Sequence, residues 1–435
     1  MSDDVNITHG GAISVDPDAL RAVANGMNLV AVKFTDAVSA IGNAYRIIVD
    51  EPGFSDRIDT VALWASSQRT GQLHDECQLA AENTLLMADV FELVELKAQL
   101  AALAVQDAAG ADALTARIAE LEASDERLSI MADYLVGGWE QGRFKGLDEQ
   151  FDLAGVLGPW GLAPIIAAAA TLGVVGGLGV VRQGTKLGGT ADPVAVTPLK
   201  TSNPITPPAS LADAFRRFPS SDGAQLKVER YTMADGTNRF ALYMKGTQSG
   251  YYGSGNPLDM KSNLELYTNQ QSASYQATIE ALEAAGAQPG DQVDVYAHSQ
   301  SGMIAAHLSM ESEFDVKVQV TAGSPVTPTL DGDQLLIQLG HTDDAVRSLA
   351  GGGSPGGTGS PDSFVATREG SPGKQLEDVT LDAHMLDTYI ETAEMVDASG
   401  DVRLHAIEEN WRELADAVEI ESTEYRVDRT GWSTE

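Results

Sequence analysis

The chain has 435 residues, and its 28 basic against 63 acidic side chains leave a formal charge of -35 and a pI of about 4.3. That length allows roughly two to three domains, and so anionic a chain repels nucleic-acid phosphates and anionic lipid, which excludes nucleic-acid binding as an expectation. A hydrophobic fraction of 43% with 21% charged residues is the composition of folded protein, not of a disordered chain.

The first four residues, Met1-Ser2-Asp3-Asp4, lack the basic and apolar regions of a secretory signal, so cytoplasmic residence or export by a signal-less route is expected. From 16 to about 135 apolar residues recur at helical spacing, beginning with Leu20, Val23, Met27, Val30, Phe34, Val38, Ile41 and Tyr45. Asp16-Pro17 reads as a cap and first helical position, and Pro52-Gly53 as the stop. A second helix is expected over about 55–105 and carries the single cysteine, Cys77, as a small packed residue. Gly110 is expected to break it before a third stretch with Leu114, Ile118, Leu121, Leu128 and Leu135. The reading is an all-α bundle or hairpin over 1–150.

Residues 153–181 contain no charge, and 160–181 is long enough to cross a bilayer. Pro159, Pro164 and the high Gly and Ala content argue instead for an apolar helical element packed on protein, so membrane association and internal packing both stand as readings of 151–183. Residues 184–210, with Pro193, Pro198, Pro204, Pro207 and Pro208, have the composition of a linker. Beyond it, over 211–435, β-rich runs alternate with helices. Strands are expected at 225–233, 239–245, 292–296, 316–321 and 334–339, and helices at 272–285 and 302–311, the pattern of a mostly parallel α/β sheet with flanking helices.

The run Ala297-His298-Ser299-Gln300-Ser301-Gly302 puts a serine between an apolar strand and an apolar helix, the context of a nucleophile elbow. The turn is so tight that the residues two before and two after the serine must be small, and Ala297 and Ser301 meet that requirement without being glycine. A serine nucleophile needs a base, and the base needs an acid. The strand at 334–339 runs into His341-Thr342-Asp343-Asp344, which delivers two carboxylates to a strand's carboxyl end; Asp344 is the chosen acid because Val346 follows it in an Asp-x-Val arrangement, with Asp343 as the alternative. Among seven histidines, His384 comes after the acid and before an apolar-periodic helix, where the base belongs, and His341 is the lesser candidate. His298 is expected to point away from the nucleophile, and His9, His74, His307 and His405 to be structural or surface residues.

Two backbone donors are expected to face the oxyanion: the Gln300 amide and that of Thr247 in the turn Lys245-Gly246-Thr247. The glycine-rich run 351–361 reads either as a flap or as a plain surface loop. No metal-ligand spacing or phosphate loop occurs, and no cofactor is expected.

From about 239 to 389 the chain resembles an α/β-hydrolase of actinobacterial type, a serine esterase or lipase, through the strand with its Gly-Thr turn, Ala284-Ala285-Gly286, the elbow, and His384 followed five residues on by Tyr389. The resemblance implies Ser299 as nucleophile, Asp344 as acid, His384 as base and the amides of Thr247 and Gln300 as oxyanion hole. The departures are Ala297 and Ser301 in place of the two elbow glycines. The helical part is similar in layout to the hairpins of type VII secretion substrates, although the Trp-x-Gly signature is absent from the turn at 50–55. Two readings follow. The first is a serine hydrolase that cleaves the ester bond of a small-molecule or lipid substrate through an acyl-enzyme; the second is a secretion-linked interaction protein whose helical region binds a protein partner and whose hydrolase fold is inactive or secondary.

Overall fold

The computed structural model describes residues 5–8, 17–51, 53–54, 57–103, 108–133, 179–204, 206–350, 359–372 and 381–431. The chain divides into two compact units, one of residues 12–138 and one of residues 1–11 with 139–435.

The smaller unit is helical. Helix α1 (Pro17–Asp50) begins on the proline whose missing N–H costs nothing at a first helical position, and ends two residues before Pro52. Helix α2 (Thr60–Leu103) starts later than its apolar periodicity suggests, because Asp59 caps it by accepting from the amides of Val61 and Ala62 at 3.0 Å. The pairing of Arg21 with Asp89 and Glu92, and of Met27 with Thr84, makes α1 and α2 antiparallel. Helix α3 (Ala108–Ser124) contains Gly110, so the expected break at that glycine is not there. A helix tolerates one interior glycine at a cost of about 1 kcal/mol. Residues 104–107, between α2 and α3, lie outside the described residues, and within 108–133 the helix is interrupted at Asp125, whose side chain accepts from the Arg127 amide as a new helical turn starts. Val90, Leu93 and Val94 of α2 meet Ile118, Leu121, Leu128 and Ala132 in a small core.

The larger unit is a nine-stranded mixed sheet flanked by helices on both faces. Its strands are β1 (Asn6–Thr8), β3 (Val194–Ser202), β4 (Leu226–Thr232), β5 (Asn238–Met244), β6 (Gln292–His298), β7 (Asp315–Ala322), β9 (Leu335–His341), β10 (Phe364–Arg368) and β11 (Glu419–Arg429), while β2 (Val180–Val181) and β8 (Thr327–Pro328) form a separate short pair. The order is β1-β10-β9-β7-β6-β5-β4-β11-β3. Strands β5, β6, β7, β9 and β10 are parallel in succession; β4, β11 and β3 continue the sheet antiparallel on one side, and β1 closes the other edge antiparallel to β10.

Alternation along each strand sorts side chains between two cores. Phe240, Leu242, Val293 and Val295 face α6 (Ala273–Ala284) and α7 (Ser301–Glu311). Ala241, Tyr243 and Tyr296 face α4 (Leu211–Arg216), α8 (Leu386–Asp397) and α9 (Leu404–Leu414). Burial on both faces explains why β5 and β6 read as nearly continuous apolar runs. The short α5 (Met260–Tyr267) follows the long β5 exit loop.

Two domain assignments need correction. The stretch 184–210 is not a linker, since Val194–Ser202 is an edge strand with Val194 and Val196 packed on the core. Its Pro198 lies opposite Tyr425 at an irregular step in the register, and an edge strand at such a step tolerates a residue with no N–H. The sheet therefore begins well before residue 211. Nor are residues 1–150 wholly helical, because Asn6–Thr8 joins the sheet, with Val5 and Ile7 packed inward and the Ile7 carbonyl accepting from Arg403 at 3.3 Å. The apolar segment 153–181 lies outside the described residues except for 179–181; among the described residues no helix is long and apolar enough to cross a membrane.

Candidate active site

The site forms where β6 ends. Ser299 adopts a left-handed conformation, φ 58°, that bulky residues rarely occupy, and α7 starts two residues later. The turn is held by its amides: Ser299 N donates to the Ala322 carbonyl at the end of β7, and Gly302 N donates to the Ser299 carbonyl, both at 2.9 Å. The small residues at the elbow are fully buried, and the Ser301 hydroxyl donates to the Lys245 carbonyl at 2.6 Å, tying the turn to the exit of β5. At that exit a Cβ on Gly246 would lie 2.6 Å from Ser299 Cβ and 3.0 Å from His298 Nδ1, so only glycine fits. Gly302 is similarly closed in by the Ser324 side chain, which gives it a steric reason the elbow spacing alone does not supply.

Histidine 384 ends a single 3₁₀ turn before α8. Its Nε2 lies 2.7 Å from Ser299 Oγ, and its Nδ1 lies 2.7 Å from Asp344 Oδ2. Gly323, φ 62°, leaves room for the imidazole, which a Cβ there would approach to 3.0 Å. Ser299 and His384 are nearly buried, at 6% and 9% exposure. The structure thus brings together the serine, one aspartate and one histidine chosen from the sequence, and it separates Asp343 from them. Asp343 accepts from the amides of Gly370 and Ser371 at 2.7 and 2.8 Å, and burial pushes its carboxyl up.

Asp344 is completely enclosed. Burial alone would raise its carboxyl, but His384 and the hydrogen bonds from His384 and Tyr389 outweigh that and hold it below the usual carboxylate range. The amides of Val346 and Arg347 donate to its other oxygen, at 2.8 and 3.3 Å. Tyr389, whose phenol burial keeps protonated, donates to Oδ2 at 2.7 Å and accepts from the His341 amide at 3.2 Å.

Two residues in this shell carry more than the sequence indicates. Tyr389 braces the acid. His298, expected to point away, instead stacks on the His384 ring with centroids 5.0 Å apart, and its Nε2 lies 2.9 Å from the His384 carbonyl. A carbonyl only accepts, so Nε2 carries the proton. Burial and the adjacent His384 push His298 down to about 3, which keeps the ring neutral. A histidine beside an elbow serine is a signal of proximity, but the partner carbonyl 86 residues away is not legible in the sequence.

His341, the lesser base candidate, is occupied elsewhere, between the Ala383 carbonyl and the Thr392 hydroxyl at 2.6 and 2.7 Å, with its ring stacked 3.9 Å from that of Tyr389. His405 is exposed, His74 lies on α2, and His9 falls outside the described residues, as do 351–358 of the glycine-rich run.

Gln300 opens α7, and its side chain donates to the Asp259 carbonyl at 3.2 Å. Thr247 is anchored by its hydroxyl, which accepts from Asn263 Nδ2 at 2.9 Å. Among the described residues neither the Gln300 nor the Thr247 amide donates to a protein acceptor. The Asp259 carboxylate, fully buried, caps α5 and pairs with Arg429 at 2.9 Å, so the loop bearing Thr247 is tied to β11. Among the described residues no three His, Cys, Asp or Glu side chains cluster as a metal site.

This arrangement lets an imidazole take the proton of a hydroxyl while a carboxylate fixes the opposite ring nitrogen as its donor. Comparisons of the chain with protein-family models, with curated proteins and with solved structures find no match.

Proposed function

We propose that the larger unit is an α/β-hydrolase-like serine hydrolase that cleaves the ester bond of a small-molecule or lipid substrate. The observation that carries the reading is the 2.7 Å hydrogen bond between Ser299 Oγ and His384 Nε2 at a strand-to-helix turn with φ 58°. Ser299 Oγ attacks the acyl carbonyl as His384 Nε2 takes its proton, and the charge that forms on the carbonyl oxygen is met by the amides of Thr247 and Gln300. His384 then gives the proton to the leaving alkoxide, which departs as the alcohol and leaves an acyl-Ser299 ester. Water attacks this ester as His384 takes its proton, the acyl–oxygen bond breaks, and His384 returns the proton to Ser299 Oγ as the carboxylic acid is released. Asp344 stays ionised throughout, holding the ring orientation and stabilising the imidazolium, and Tyr389 braces it. The groups named need no cofactor for these steps.

A series of p-nitrophenyl acyl esters tests the reading. Rapid mixing should give a burst of p-nitrophenol approaching one per chain followed by slower turnover, and Ser299→Ala should abolish both phases. Turnover that survives in Ser299→Ala overturns the assignment of the nucleophile.

A second activity fits the helical unit, namely recruitment of a protein partner. It draws support from apolar side chains that α1 leaves in solvent, among them Leu29, Val32 and Ile47 at 69%, 56% and 59% exposure. Removing 17–133 would leave the ester burst intact under this reading.

A further inference from the structure

Beside Arg347, whose amide donates to Asp344, and on the sheet face that α7 covers, lies a cavity of about 10 Å³, room for a single water-sized or halide-sized occupant. It is lined by Thr321, Ser324, Thr327, Gln338 and Arg347 among its polar residues. Arg347 is 8% exposed, and its side chain lies across Gly340, where a Cβ would collide with the guanidinium. The backbone amide of Arg347 donates to Asp344, whereas among the described residues its guanidinium forms no ion pair and donates no hydrogen bond.

Asp344 acts on the guanidinium through space but accepts no hydrogen bond from it. Both oxygens of Asp344 are already occupied, Oδ2 by His384 and Tyr389 and Oδ1 by two backbone amides. A second donor in the cavity is also unmatched, since the Thr321 hydroxyl is fully buried and has no hydrogen-bond partner. Ser324 is satisfied locally by Val326, so it adds shape and not demand. Asp344 offsets part of the Arg347 charge through space but takes none of its side-chain donors. The lining therefore presents a positive charge and an unmatched hydroxyl to a small space.

We propose that this cavity binds a chloride ion, held by the Arg347 guanidinium and the Thr321 hydroxyl. The occupant is small because of the volume and anionic because of the donors. Binding to the folded chain alone stabilises it by mass action, so chloride raises stability whether or not Ser299 is a nucleophile.

The test is thermal unfolding of the full chain in sodium chloride against sodium gluconate at matched ionic strength. The wild type should show a saturable rise in Tm with chloride, reproduced by bromide, and Arg347→Gln should lose that rise. Coincident chloride and gluconate curves in the wild type mean the cavity holds only water and overturn the proposal, as does a chloride response that persists unchanged in Arg347→Gln. Should Arg347→Gln fail to fold, Thr321→Val replaces it: a chloride midpoint several-fold higher supports the site, and an unchanged midpoint overturns it.

Discussion

The Tyr389 phenol donates to the same oxygen of Asp344, Oδ2, that faces His384 Nδ1, with both contacts at 2.7 Å. One carboxylate oxygen thus collects two donors from side chains five residues apart, His384 on its 3₁₀ turn and Tyr389 on α8. The acid is positioned by the same short segment that carries the histidine, so the two cannot drift independently.

Tyr389→Phe removes one of these donors without changing the ring. A hydrogen bond to a charged group contributes about 1.5–3 kcal/mol, and the variant should lose that order of stability at neutral pH. A carboxyl held below its ordinary value contributes stability that is present above the unfolded pKa and lost as pH falls through the folded one. The deficit should therefore be full at neutral pH and shrink through the carboxylate range, as read from urea midpoints. Ester turnover should fall about 10- to 100-fold through kcat, the same free energy expressed as rate.

The two adjacent aspartates should separate cleanly. Asp344→Asn disturbs the acceptor that fixes the His384 tautomer, and kcat should drop about 10⁴-fold. Asp343→Asn should keep activity within a few-fold. An amide has one carbonyl for the two N–H groups of Gly370 and Ser371, so its cost, about 1 kcal/mol, appears in stability. Steady-state kinetics alongside urea unfolding of both variants decides the assignment.

Gly246→Ala tests the close approach of β5 to the elbow. Its Cβ would come within 2.6 Å of Ser299 Cβ, so the turn or the loop must shift. Displacing reacting groups by about 1 Å costs on the order of 100-fold, and turnover should fall by at least that while the far-ultraviolet circular dichroism is unchanged. Wild-type activity would mean that the loop bearing Thr247 does not contact the reacting centre.

His307, fully buried on α7, gives the stability profile a distinct acid limb. Burial pushes it down to about 4, and its Nδ1 lies 3.3 Å from Glu311 Oε1 without hydrogen-bond geometry. The unfolded chain takes up this proton near the ordinary value of about 6.5. Its contribution is therefore complete above that pH and declines as pH falls toward the folded value. His307→Leu should gain on the wild type by about 1.4 kcal/mol per pH unit below about pH 6, measured as the divergence of two urea-midpoint profiles. Parallel profiles would refute this.

The elbow was legible because β6 and α7 announce themselves on either side of Ser299, and Ala297 and Ser301 meet its steric demand. His384 followed from chain order. What escaped the sequence is tertiary in origin. Strand β3 is disguised by Pro198, whose missing N–H is harmless only because the strand lies at an edge, a fact no local pattern contains. Strand β1, three residues long, is too short for periodicity to register. The stacking of His298 on His384, like the cavity behind Arg347, exists only once segments separated by scores of residues have been brought together.

The most direct measurement is reaction of the full chain with a fluorophosphonate probe, followed by intact-mass analysis and peptide mapping. The account predicts a single adduct on Ser299 that is absent from Ser299→Ala and strongly slowed in His384→Ala. A folded wild-type chain that stays unlabelled, or an adduct on another residue, would contradict it.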